Sequence, residues 1–174
     1  EVVSQPRLRR GCSSGFTPPE GTPLNLQVLL ERQPLELASL GLGAGVVLPC
    51  PLLRKAEPVD PTAWLRNLDF TAWADQPRIV LAHGSIQGFG AEDSSDTDDE
   101  NPPVPTNRID LARLPPGEID YVALGDWHGL KQVSPQAWYA GCHEMDRFPR
   151  SAAYRSGQVL MVGVSRGGQP ETFP

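Results

Sequence analysis

His83, Asp126 and His128 are the residues of this sequence best suited to chemistry. His83 closes the stretch RIVLAHGS (78–85), and Asp126 and His128 stand two positions apart in YVALGDWHG (121–129). Imidazole and carboxylate ligands together suit Zn, Mn or Fe. Gly84, Gly125 and Gly129 flank them; glycine leaves room beside a ligand and adopts backbone conformations that other residues resist. In an extended strand, Asp126 and His128 would share a face; in a turn they can address two neighbouring ions. Histidines hydrogen-bonded in ordinary loops would give the same pattern, and spacing alone does not separate the two readings.

The elements that must position these side chains are legible around them. Residues 78–83 and 119–125 read as buried strands, each ending in a Gly turn that bears a histidine. In layered α/β folds, ligands and chemistry gather at the carboxyl ends of strands. Further strands are predicted at 24–31, 34–40, 46–53, 136–141 and 157–164. The clearest helix is VDPTAWLRNLDFTAWADQP (59–77), with Asp60 as its cap, Pro61 at its first position and Trp64, Leu65, Leu68 and Ala72 on one face. One helical turn is expected in 109–115. The fold class is therefore α/β and strand-rich.

Residues 1–23 read as an irregular N-terminal segment, and 166–174 as a tail. The run AEDSSDTDDE (91–100) holds six acids and no base, and NPPVPTN follows it. Such a composition does not bury enough apolar surface to order itself, so 90–107 is expected to be a mobile insertion. Of 174 residues, 39% are hydrophobic, while Pro (19) and Gly (17) are both frequent, which implies short elements joined by many turns. The net charge of −6 excludes a broad basic nucleic-acid-binding face. Local basic spots remain at RLRR (7–10) and LLRK (52–55), with Arg54 and Arg147 as loop cations. Three widely spaced cysteines without a CxxC read as reduced thiols of a cytoplasmic protein. No apolar run approaches the ~18 residues of a membrane span.

IVLAHGSIQGF followed by IDYVALGDWHG resembles the C-terminal half of a calcineurin-like metallophosphoesterase. The bacterial DNA-repair-exonuclease-like (SbcD-type) branch is the nearer likeness. LPCPLLRKAEPVDPTAWL (48–65) and WYAGCHEMDRF (138–148) also look like that branch, and the likeness spans about 24–165. It implies part of a four-layer αββα sandwich that holds two divalent metal ions, Mn first, with Fe or Zn as alternatives. It also implies a phosphoester substrate, with nucleic acid as one candidate. In such enzymes the ligands come from five motifs in order: DxH, GDxxD, GNHD, a His-Gly turn and GHxH. By the resemblance, His83 would bind the second metal, Asp126 would face the same metal from the first His position of GHxH, and His128 would bind the first.

The sequence departs from this pattern. DxH, GDxxD and GNHD are absent, and with them the bridging Asp, the Asn ligand and the His that assists the leaving group. Asp126 in place of His either makes the second site harder, favouring Mn or Mg, or weakens it. The chain is accordingly expected to be the C-terminal portion of a metal-dependent phosphoesterase, inactive by itself, with a missing N-terminal half or a partner chain supplying the other ligands. The alternatives are a non-catalytic interaction domain and a truncated pseudoenzyme. His143, beside Cys142, reads as a turn residue, and Trp127 as a wall of the cleft. No role in the chemical step is assigned to any residue.

Overall fold

The computed structural model describes residues 29–86, 106–145 and 156–174. The segment expected to be irregular at 1–23, most of the strand expected at 24–31, and all but the end of the insertion expected at 90–107 lie outside these residues.

The framework is a mixed sheet of six strands. In chain order, β1 is Leu35–Glu36, β2 Val46–Cys50, β3 Arg78–His83, β4 Ser85–Ile86 and β5 Arg108–Ile109. They are followed by β6 Tyr121–Gly125, β7 Lys131–Ser134, β8 Ala137–Tyr139, β9 Met161–Gly163 and β10 Glu171–Phe173. The order across the sheet is β1-β2-β3-β6-β8-β7, while β4–β5 and β9–β10 form separate pairs. β2, β3, β6 and β8 run parallel; β1 and β7 are antiparallel edges. The described structure is thus strand-rich α/β, as the sequence implies, and its described helices are short 3-10 turns.

The four parallel strands lie in space in the order they occupy in the chain. Right-handed crossovers then all fall on one face of the sheet. Burial agrees with this. Val46, Leu48, Cys50, Val80, Ala82, Val122, Leu124, Ala137 and Tyr139 form one buried face, packed with Leu65, Phe70, Ile109 and Ile119 from the connections. On the other face Pro49 and Tyr121 are buried, Val47, Ile79, Ala123 and Trp138 are half-buried, and Leu81 is 48% exposed. Alternation along β3 puts His83 on this second face, in line with Ile79 and Leu81.

The single helix expected at 59–77 is not formed. Two 3-10 turns, Ala63–Asn67 and Thr71–Trp73, replace it, separated by an extended Leu68. Asp60 accepts from the backbone N and the hydroxyl of Thr62 and so caps the first turn, as expected. The break falls at Leu68, beside Asp69, whose side chain accepts from the backbone N of Thr71 and so favours a turn over continued helix. Likewise the strand expected at 34–40 stops after Glu36. Leu37–Leu40 is a 3-10 turn closed by Gly41 at φ +73. The one-turn helix expected in 109–115 is present as Leu111–Arg113. β4, β5, β7 and β10 lie outside the strands expected from the sequence, and β10 lies in the segment expected to be a tail.

Below the sheet, Arg78 is buried and donates to the carbonyls of Phe70 and Trp73 and to the Glu118 carboxylate. Asp120 accepts from the backbone N of Arg78 and from Arg166. The turn between β9 and β10 is thereby tied to the amino ends of β3 and β6. Among the described residues, no helix is long and apolar enough to cross a membrane.

Burial holds three acidic protons in place. The Cys50 thiol is pushed from 9.0 up to about 12, and the Tyr121 and Tyr139 phenols from 10.0 up to about 12. In each case the main cause is loss of hydration around the charged form. Above pH 9 the unfolded chain releases these protons first, so it binds fewer protons than the folded chain and stability falls as pH rises. The contribution is intact below about pH 8 and is lost progressively towards pH 12. Urea unfolding is expected to show a loss of roughly 2–4 kcal/mol between pH 8 and 10.5. A flat profile over that range would contradict this burial.

Candidate metal centre

β3 and β6 are adjacent and parallel, and their register ends with His83 opposite Gly125. The strands form because Ile79, Val80, Leu81, Val122, Ala123 and Leu124 are apolar on both faces, as expected for central parallel strands. Pairing continues one step further, since the backbone N of Gly84 donates to the Gly125 carbonyl at 3.1 Å. His83 and Asp126 are thus delivered side by side at the carboxyl end of the sheet.

Gly125 makes room for the imidazole. A Cβ there would lie 2.8 Å from His83 Nδ1. The next residue, Asp126, holds φ at +114, a value that a residue with a Cβ adopts only under strain. Its carboxylate is oriented by Ser85, whose Oγ donates to Oδ2 at 2.8 Å, and Oδ1 lies 3.7 Å from His83 Nε2. Both ligand candidates are open to solvent, at 57% and 46% exposure.

Behind them the corner is braced. The Tyr139 hydroxyl donates to the Gly84 carbonyl at 2.8 Å and accepts from the backbone N of Ile86 at 3.2 Å. The Asn107 carbonyl accepts from the backbone N of Ser85 at 2.9 Å. Tyr139 of β8 and Asn107, just before β5, therefore fix the turn that carries His83 and Ser85.

Ser85, Asp126 and His83 do not form a nucleophilic triad. The Ser85 hydroxyl donates to the carboxylate, not to the imidazole, so the relay in which a histidine takes the serine proton is not set up. Two ligands on one ion at bonds of about 2.1 Å and near-tetrahedral angles lie about 3.4 Å apart. The 3.7 Å between His83 Nε2 and Asp126 Oδ1 is close to that. A carboxylate held by a hydroxyl is also the usual second layer around a metal ligand. The pair therefore fits one divalent ion as two of its ligands.

His128 does not complete a three-ligand group with the pair among the described residues. It is exposed, and its carbonyl accepts from the backbone N of Cys142 at 2.7 Å. Gly141, at φ +78, allows that approach, since a Cβ there would lie 2.7–2.9 Å from three backbone atoms of 128–130. Among the described residues, no three His, Cys, Asp or Glu side chains group closely enough to hold a metal. His143 is exposed and lies 3.9 Å from Glu144. Trp127 packs against the core, with the Lys131 ammonium 5.4 Å from its ring centre.

The sequence reading missed Ser85, Asn107 and Tyr139. Only Ser85 carried a local signal, as a hydroxyl two residues after His83. Comparison with family models and with characterised proteins gives no match to this chain.

Proposed function

We propose that this chain carries part of the binuclear metal centre of a phosphoester hydrolase. His83 and Asp126 would hold one divalent ion, Mn first and Fe or Zn as alternatives, and His128 would serve a second. The observation that carries this reading is the pair itself: an imidazole and a carboxylate 3.7 Å apart at the ends of adjacent parallel strands, with the carboxylate on a strained backbone and oriented by a serine.

Within the site each residue has a definite task. Gly125 leaves the volume in which the His83 ring lies, and Ser85 holds Asp126 so that its second oxygen faces that ring. Bound ions would neutralise charge developing at phosphorus. Two grouped ligands are too few for two ions. The remaining ligands, including the bridging carboxylate, would come from an N-terminal half or from a partner chain. The second face of the sheet supports this arrangement, because its exposed Leu81 and half-buried Val47, Ile79 and Trp138 lead directly to His83. A second sheet laid there would give the αββα layering and bring its own strand ends to the same place. On this reading the substrate is a phosphodiester, nucleic acid included, as for a cytoplasmic DNA-repair exonuclease.

The absence of a three-ligand group among the described residues favours a second reading, a non-catalytic interaction domain or truncated pseudoenzyme. Hydrolysis separates the two. The chain alone is expected to show negligible Mn²⁺-dependent turnover of bis(p-nitrophenyl) phosphate. A polypeptide supplying the missing ligands, in cis or in trans, should restore turnover, and His128→Ala should abolish it. Turnover by the chain alone that survives both His83→Ala and His128→Ala would place the chemistry elsewhere.

A further inference from the structure

The loop that follows β2 stands against the same corner. An open cleft of about 620 Å³ is lined by Leu52, Leu53, Arg54, Lys55, His83 and Asn107. Arg54 and Lys55 are exposed, and among the described residues neither side chain has an ion-pair or hydrogen-bond partner. The chain has a net charge of −6 and only two lysines, Lys55 and Lys131. Both stand at the carboxyl end of the parallel strands, at the mouths of the loops that follow β2 and precede β7.

The loop is held in place. Asn107 donates from Nδ2 to the Lys55 carbonyl at 3.0 Å and accepts at Oδ1 from the backbone N of Glu57 at 2.8 Å. Its own backbone N donates to the Glu57 carbonyl at 2.8 Å. Asn107 does this from φ +57, a left-handed conformation that asparagine tolerates better than most residues. Its carbonyl also holds Ser85. One residue therefore fixes the basic loop and the His83 corner relative to each other. Unpaired cations on a backbone with three such attachments lose less freedom on binding an anion than cations on a free loop.

We propose that Arg54 and Lys55, held by Asn107 beside His83, form a binding site for phosphate oxyanions. Arg54 supplies a planar fork that matches two phosphate oxygens, and Lys55 adds a compact charge. Among the described residues, the acidic groups that the contacts place at this corner are Asp126, which faces His83 and Ser85, and Glu57, whose backbone is taken by Asn107. The ligand is a phosphate group, either of a free phosphate compound or of a nucleic-acid backbone. The site does not depend on a metal, so it is testable apart from the proposed hydrolase chemistry.

The test uses the full chain in EDTA at low salt, with a fluorescein-labelled ten-nucleotide single strand and inorganic pyrophosphate as probes. Arg54→Ala and Lys55→Ala are each expected to weaken binding about tenfold. Arg113→Ala, which removes one exposed charge outside the cleft, should change it less than twofold. Each lost phosphate contact should also lower the salt slope of single-strand binding by about 0.7. Asn107→Gly tolerates the positive φ and leaves the charge unaltered, yet should weaken binding several-fold by releasing the loop. Its thermal melt reports that the fold is retained. Displacement of the strand by pyrophosphate identifies a free-phosphate site, and retention of the strand identifies backbone recognition; both support the proposal. Failure of both probes to bind would overturn it. Equal losses in the three charge variants, or an unchanged Asn107→Gly, would overturn it as well.

Discussion

Gly84→Ala is expected to destabilise the protein by roughly 3–5 kcal/mol and to lower its melting temperature by about 10 °C. Two costs combine at this position. Gly84 holds φ at +150, which L residues rarely adopt, and a Cβ would lie 2.3 Å from the Asn107 carbonyl oxygen, a backbone atom. Asn107 has no freedom to retreat, because the same carbonyl accepts from Ser85 and its other polar groups hold the loop at 55–57. The change therefore strains either the β3–β4 corner or the basic loop. Gly117→Ala gives the comparison of a left-handed glycine with no clash. Its φ is +71 with open space around the built Cβ, so a loss nearer 1 kcal/mol is expected. Denaturant unfolding of both variants is the measurement, and equal losses would show that neither the φ of +150 nor the contact with Asn107 adds to the cost at Gly84.

Asp126→Gly is expected to move stability and metal affinity in opposite directions. Backbone strain of this kind costs about 1–3 kcal/mol. Glycine relieves it, and the lost Ser85 hydrogen bond is exposed to water. A gain of about 1 kcal/mol in unfolding free energy should follow, while detectable Mn²⁺ binding disappears. Ser85→Ala keeps the carboxylate but frees its orientation, so a smaller loss of about tenfold in affinity is expected. Destabilisation by Asp126→Gly would mean that the strained aspartate is held for its structural contacts rather than for a ligand.

The core strands were legible because they depend on local pattern. The apolar runs of 46–53, 78–83 and 119–125 declare strands, the latter two buried, and the structure forms them over Val46–Cys50, Arg78–His83 and Tyr121–Gly125. That two such strands end in His83 and in Gly125-Asp126 locates the candidate site before any pairing is known. The helix expected at 59–77 starts at its cap, Asp60, but does not continue, because apolar spacing carries no sign of the Asp69 side chain diverting the backbone N of Thr71 into a turn. The short strands β4, β5 and β7 carry too few residues to show a period. Asn107 was invisible for a different reason: its partners at 55 and 57 lie about fifty positions away, brought near only by the parallel order of β2, β3 and β6. The Ser85–Asp126 bond, which spans 41 positions, arises in the same way.

Metal binding by the 174-residue chain tests the central claim most directly. Equilibrium dialysis against Mn²⁺, after stripping with a chelator, should give weak saturable binding near one ion per chain. Binding should be lost in His83→Ala and in Asp126→Asn and retained in His143→Ala. Binding that persists unaltered through His83→Ala and Asp126→Asn, or no saturable binding at all, would contradict a metal site at the ends of β3 and β6.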